Sequence, residues 1–245
     1  MARVSILTGP RAGIDDTTPP LVVLDFDGTV AVGDGPVLAY ADAAFALLDA
    51  TKAAAARTVL DGVLAGRDRR WPDPYVAVAE LCSGVPAADL QAAYVASRDR
   101  LAREDLGVCV PDGLLAALDR WAGRAERVLV TNSPAHGTLQ VLERLDLRRR
   151  FDRVVVDAGK PRRLAELLLV LLEGRSPDLL LSIGDHWPND IAPALELGGH
   201  GGLIAPGPRA DWPCDATAPT LTALLPYVDE WLAGARSPLT ARSRA

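Results

Sequence analysis

Short apolar runs alternate with longer stretches of helical periodicity through most of this chain. The runs Leu21 to Phe26, Val128 to Thr131, Val154 to Val156, Leu179 to Ile183 and Gly202 to Ala205 read as strands. Stretches over 112–122, 135–146, 161–173, 190–197 and 220–233 read as helices. Alternation of this kind predicts an α/β fold, a parallel sheet with helices on both faces. Runs such as Leu179-Leu180-Leu181 show no polar face, which suits strands covered on both sides. One interval breaks the rhythm. Residues 36–105 contain no parallel strand candidate and predict helices near 37–50, 52–65, 74–82 and 87–104. Alanine, the strongest helix former, dominates there, and Gly66, Pro72, Gly84 and Pro86 punctuate the segment. A helical module inserted after the first strand is expected above the carboxyl ends of the sheet, the edge where open α/β folds bind ligands. The expected division is a leader over 1–20, a core over 21–35 and 106–235, a helical cap over 36–105 and a tail over 236–245.

Composition narrows the class. With 245 residues, 49% hydrophobic and 24% charged, the chain matches an ordinary globular protein of one large or two modest domains. A net charge of −6 gives no electrostatic basis for binding nucleic acid or an anionic membrane surface, and neither partner is expected. Charges interrupt every hydrophobic stretch before a membrane span of about 18 residues accumulates. Cys82, Cys109 and Cys214 are odd in number and widely spaced, which fits neither a disulfide framework nor a C-x-x-C metal pair. The start of the chain lacks a signal-peptide core, and Asp15-Asp16 argues against a transit peptide, so a cytoplasmic location is expected. Of 26 basic residues only Lys52 and Lys160 are lysine.

The candidate chemistry gathers at the predicted strand ends. Asp25 and Asp27 stand one residue apart in Leu-Asp-Phe-Asp-Gly-Thr, so alternation points both to one side while Phe26 turns inward. Two carboxylates held together raise one another's pKa, and a divalent cation with a taste for hard oxygen ligands, such as Mg²⁺, relieves the conflict. An ordinary Asp-Gly turn explains the same residues without chemistry. The second strand ends Thr131-Asn132-Ser133, where a hydroxyl, an amide and turn N–H groups can hold phosphate oxygens. Ser133 before Pro134 also suits a helix N-cap. Lys160, in Gly159-Lys160-Pro161, follows the third strand at a helix start, where a cation is unfavourable unless an anion is near. Asp185 ends the fourth strand, and Asp190 follows it either as a cap or as part of a carboxylate cluster.

Asp-Phe-Asp-Gly-Thr at 25–29, Val-Thr-Asn-Ser at 130–133, Gly-Lys-Pro at 159–161 and Gly-Asp with Asn-Asp at 184–190 come in the order and rough spacing of a known family. The chain resembles the haloacid-dehalogenase-like (HAD) phosphohydrolases. That resemblance implies a Rossmann-like core whose helical insert acts as a mobile cap. It implies a Mg²⁺-dependent phosphatase of a small phosphorylated metabolite. Asp25 would be the nucleophile that forms an aspartyl-phosphate, and Asp27 the general acid and base, its carbonyl also on Mg²⁺. Thr131 and the Asn132 amide would hold the phosphoryl group. Lys160 would neutralise it and steady Asp25. Asp185 would complete the metal shell, with Asp190 joining it or orienting Lys160. A carboxylate at Asp27 sets aside dehalogenating and phosphonate-cleaving branches of the family. A sugar-phosphate mutase is the nearest rival, and a non-catalytic protein of the same fold is a second. The segment Phe151 to Lys160 is shorter than the family's, and His186-Trp187 bulkier. His136, Lys52 and the Arg67 to Trp71 loop carry no settled role; the loop reads as either a solvated turn or a second anion contact. Glycines 198, 199, 201 and 202 lack the context of a dinucleotide fingerprint.

Overall fold

A computed structural model describes residues 5–8, 19–68, 70–71, 73–205, 207 and 211–235. They form two units. Described residues within 1–31, 110–133 and 146–245 make up the first, and those within 32–109 and 134–145 the second.

The first unit is built on a sheet of β1 (Ser5–Thr8), β2 (Leu21–Leu24), β3 (Glu126–Val130), β4 (Arg153–Val156), β5 (Leu180–Gly184), β6 (His200–Ile204) and β7 (Ala216–Ala218). Its order is β1-β4-β3-β2-β5-β6-β7. Only β1 runs antiparallel, Ser5 facing Val156 and Thr8 facing Arg153. The expected parallel Rossmann-like sheet is present, with β1 and β7 added at its edges. Leader residues 5–8 are therefore an edge strand rather than peripheral chain; the rest of the leader up to residue 18, and the tail from 236, lie outside the described residues.

Strand order reverses at β2. β3 pairs on one side of it, Val23 opposite Val128, and β5 on the other, Val23 opposite Ser182. In open α/β sheets such a switch point leaves a crevice at the carboxyl ends of the two flanking strands. The chain leaves β2 and β5 there at Asp25 and Asp185.

Both faces are covered, which suits the largely apolar middles of the central strands. Leu21 and Val23 pack with Leu164, Leu167, Leu168 and Leu171 of helix α7 (Leu164–Leu172). Gly201 and Gly202 are consecutive and point oppositely. A Cβ at Gly201 would run into Ile191, just ahead of helix α8 (Ala192–Glu196), whereas one at Gly202 would press on Leu224 of helix α9 (Leu221–Ala235). These glycines thus let two helical layers approach β6, a packing role. Trp121, fully buried in α5 (Leu114–Trp121), donates its indole N–H to Asp229 of α9 at 2.7 Å.

A charge network closes the amino ends of the strands. Arg127 pairs with Asp152 through Nη2–Oδ1 at 2.9 Å and Nε–Oδ2 at 3.0 Å. Arg153 and Arg175 each meet Glu126 at 2.6 Å, and Arg153 also meets Glu173 at 2.6 Å. Pairing of opposite charges, bidentate in Arg127–Asp152, is what allows charge to be buried here.

The second unit holds α1 (Gly35–Phe45), α2 (Ala50–Leu64), α3 (Pro74–Leu81), α4 (Ala87–Arg103) and α6 (Ala135–Arg144). Its interior comprises Val37, Tyr40, Phe45, Leu60, Val78 and Ala93, among others. Tyr40, Tyr75 and Tyr94 pack ring against ring, with centroids 5.6–6.3 Å apart. Asp49 caps α2 by accepting from Lys52 N at 2.9 Å, and Asp73 caps α3 by accepting from Val76 N at 2.9 Å. The division departs from expectation at α6, which the core assignment 106–235 had included. The helix packs on α4 instead. Its start is bent at Gly137, φ +86°, where the α4 backbone at Arg98 comes so close that a Cβ would touch the Arg98 carbonyl. The nearly buried Arg98 guanidinium then donates to Thr138 Oγ1 at 3.1 Å. Helix propensity predicts the helix and says nothing of its partner, so only packing assigns it. No helix among the described residues is long and apolar enough to cross a membrane.

Candidate active site

All the strand-end residues singled out above lie in the first unit. Asp25 continues the β2 pairing, its N–H donating to Ile183 O at 2.9 Å, so its backbone is fixed by the sheet. Phe26 then turns into the core, 1% exposed. Its carbonyl accepts from the N–H groups of Thr29, Val30 and Ala31 at 3.0–3.3 Å and so ties the turn together. Gly28 sits in that turn at φ +78°, a conformation that glycine adopts without a steric penalty. A Cβ there would also collide with the Asp185 carboxylate, so the missing side chain leaves room beside it.

The second cluster is anchored to β4. Thr131 N donates to Val155 O at 2.9 Å, and Ala158 N to Thr131 O at 3.0 Å. Thr131 Oγ1 accepts from Ser133 N at 3.0 Å and keeps its own proton to donate. Ser133 does not cap α6, whose N-cap position is Pro134. Its hydroxyl donates instead to Asp27 Oδ2 at 2.7 Å, a contact that capping preference concealed.

Lys160 is no surface lysine. Its side chain is 4% exposed, and Nζ donates to Asp25 Oδ1 and to Asp190 Oδ1, both at 2.6 Å. A single π-helical turn over Trp187–Ile191, where a regular helix from 190 was expected, sets the Asp190 backbone. Such turns recur at functional sites. Asp190 Oδ2 accepts from His186 N at 3.0 Å, and Asp190 O from Ser182 Oγ at 2.6 Å. Of its two expected roles, cap or cluster member, the carboxylate takes the second and orients Lys160.

The electrostatics follow from burial and crowding. Desolvation raises the Asp25 pKa to about 6, with Asp190 pushing the same way against the ammonium of Lys160. Desolvation alone would lower the Lys160 pKa, but Asp25 and Asp190 together outweigh it and raise it. Asp185, next in the chain after β5, is likewise pushed well above the usual carboxylate range, by loss of hydration around its carboxylate first and then by the charges of Asp25 and Asp190. Three carboxylates with one ammonium among them remain a site of excess negative charge.

That donor set fits a hard divalent cation. Oxygens of Asp25, Asp185 and Asp190 lie within 4.8 Å of one another, and Gly28 leaves the space beside Asp185 that a Cβ would fill. Asp27, expected among the metal ligands, is not in this group, and its carboxylate accepts from Ser133.

Other candidates have local partners. Trp187 stacks on Trp212 and donates to Pro213 O at 2.9 Å. Lys52 lies at the surface beside Asp49, 3.2 Å away. Arg70 pairs with Asp68 and stacks on Trp71, which fits the solvated-turn reading of that loop; Arg69 lies outside the described residues. His136 meets Asp99 at 2.7 Å within the helical unit. Sequence reasoning missed the side-chain bonds of Asn132 to the Lys160 backbone, Lys160 N to Oδ1 at 2.7 Å and Nδ2 to Lys160 O at 3.1 Å.

No protein-family sequence model matches the chain, and no curated protein sequence does. Solved structures do. The chain is similar to YfnB from Bacillus subtilis, assigned as a HAD-hydrolase and bound to magnesium, with TM-score 0.61 and 17% identity over 87% of this chain and 100% of that one. It is similar to a HAD phosphatase from Thermococcus onnurineus, TM-score 0.55 and 19% identity over 85% and 97% of the two chains. It is also similar to a 2-haloacid dehalogenase from Pseudomonas syringae, TM-score 0.55 and 17% identity over 87% and 100%. At these identities the likeness is one of fold: the chain has the HAD-like hydrolase fold.

Proposed function

We propose that this HAD-fold chain is a Mg²⁺-dependent phosphatase that hydrolyses a small phosphorylated metabolite through an aspartyl-phosphate on Asp25. The observation that carries the reading is the pairing of two unequal carboxylates. Asp25 is buried and held by Lys160 through Oδ1, which leaves Oδ2 to attack, and Asp27 is held by Ser133 on the adjoining turn. In the first step Asp25 Oδ2 bonds to phosphorus as the bond to the ester oxygen breaks, and Asp27 delivers a proton to that oxygen. In the second, Asp27 takes a proton from water, which attacks phosphorus and releases phosphate from Asp25. Thr131 Oγ1 and the Asn132 N–H hold the phosphoryl oxygens, and Lys160 offsets their charge. Asp25, Asp185 and the Asp27 carbonyl, with Asp190 behind them, would hold Mg²⁺, which supplies charge neutralisation at the phosphoryl group.

A carboxylate at 27 engaged with a hydroxyl favours ester cleavage over dehalogenation, since only a phosphate ester's leaving oxygen needs a proton. Phosphomutase chemistry shares the first step and differs in returning the phosphoryl group to its product. The test is phosphate release from sugar, nucleotide and amino-acid phosphates with Mg²⁺, together with acid-quenched mass spectrometry of Asp27→Asn. Free phosphate from the wild type and a phosphoryl adduct on Asp25 in the variant are expected. Isomerised ester without free phosphate would indicate the mutase, and no turnover on any ester would sink the reading.

A further inference from the structure

Lys160 must present its ammonium to two carboxylates, yet it lies in a loop that no helix or strand holds. A lysine carries much rotamer freedom, so the backbone that bears it has to be fixed from elsewhere. Leaving β4, the loop is first tied by main-chain bonds, Asp157 N to Ser133 O at 3.1 Å and Ala158 N to Thr131 O at 3.0 Å. Past Gly159, at φ +72°, the partner becomes a side chain. Lys160 N donates to Asn132 Oδ1 at 2.7 Å, and Asn132 Nδ2 donates back to Lys160 O at 3.1 Å. Only Asn and Gln carry a donor and an acceptor in the geometry of a peptide group. The carboxamide therefore exchanges both bonds with Lys160, as facing residues of an antiparallel ladder do. It acts as one more rung of pairing where the main chain has turned away.

We propose that Asn132 is the positioning residue of Lys160: its side chain, beyond any contact of its main-chain amide with phosphate, holds the lysine where Nζ reaches Asp25 and Asp190. Aspartate at 132 would accept from Lys160 N and could not donate to its carbonyl, and alanine would do neither. The inference deepens the phosphatase reading and rests on it for its kinetic consequence alone.

The chain's two lysines make the test internal. Lys52 has a side chain 75% exposed, against 4% for Lys160. Acetylation with limiting acetic anhydride, read by mass spectrometry, gives the Lys160-to-Lys52 labelling ratio. Asn132→Ala should raise that ratio about tenfold, the factor that loss of roughly 1.4 kcal/mol of hydrogen bonding confers. Asn132→Asp, which keeps one bond of the two, should fall between. A ratio unchanged in Asn132→Ala overturns the inference. So does a rise that only follows loss of the near-ultraviolet circular dichroism, since that marks general unfolding. On p-nitrophenyl phosphate with Mg²⁺, Asn132→Ala should lower kcat/KM about ten- to a hundredfold, and less than twofold when added to Lys160→Met. An equal loss in both backgrounds would show Asn132 acting apart from Lys160 and overturn the inference. If the wild type releases no phosphate, the functional reading fails, and the labelling ratio still decides on the clamp.

Discussion

The two ends of the parallel sheet handle charge in opposite ways. At the amino ends Arg127, Arg153 and Arg175 face Asp152, Glu126 and Glu173, three cations against three anions, largely buried except for Glu173 and each in an ion pair. At the carboxyl ends Lys160 pairs with both Asp25 and Asp190, Asp185 stands beside them, and Asp27 accepts from Ser133, so the described carboxylates there outnumber the cation they surround. The first arrangement is closed and asks for nothing more. The second is left short of positive charge, and its pKa shifts record that: Asp25 is raised to about 6 although a lysine touches it. Pairing that closes serves the fold, while a surplus kept at a switch-point crevice is what the proposed phosphatase chemistry would draw on.

Substitutions should separate the ends. Asp25→Asn should cut phosphatase turnover about 10⁴-fold or more while its urea unfolding stays cooperative; substantial turnover would dissolve the distinction at its centre. Asp152→Ala should do the reverse. Stranding the buried Arg127 costs about 3–5 kcal/mol in urea denaturation, with turnover per folded molecule retained. A loss of turnover larger than the loss of folded protein would mean that the amino end also serves the site.

Mg²⁺ gives a smaller effect with a pH signature. In the metal-free protein the folded pKa of Asp25 lies above its unfolded value of 3.8, so the stability it contributes is full below that value and lost as pH rises through about 6. On the proposed reading Mg²⁺ binds the ionised form, so its stabilisation should grow across the same window. At 100 times Kd it should reach about 2.7 kcal/mol near pH 7.5 and fade by pH 5. Thermal melts with and without Mg²⁺ at the two pH values check this. Asp185→Ala should lose most of the shift, and an equal shift at both pH values would show the cluster is not where the metal binds.

Much of this was legible in the residue pattern. The five central strands were readable because a sheet covered on both faces writes unbroken apolar runs. Asp25, Thr131 and Asp185 were legible as strand-end residues because each follows such a run directly, while Asp27, Lys160 and Asp190 stand a few residues further on in the loops. β1 and β7 were not, since short edge strands lack that double-sided signature. Ser133 was read as a cap because local preference favours one, but its hydroxyl finds Asp27, 106 positions away in the chain. The Asn132 clamp likewise joins positions 28 apart, beyond the reach of any local rule.

By itself the sequence determined which residues end the strands and hence which side chains gather at one edge, because strand periodicity and strand ends are local properties. Tertiary structure decided how they divide the work. The strand order put β5 beside β2 and so Asp185 near Asp25. The π-helical turn aimed Asp190 at Lys160, and the close approach at Gly137 drew α6 to the helical unit. Each of these rests on distances between remote parts of the chain, which only the folded packing sets.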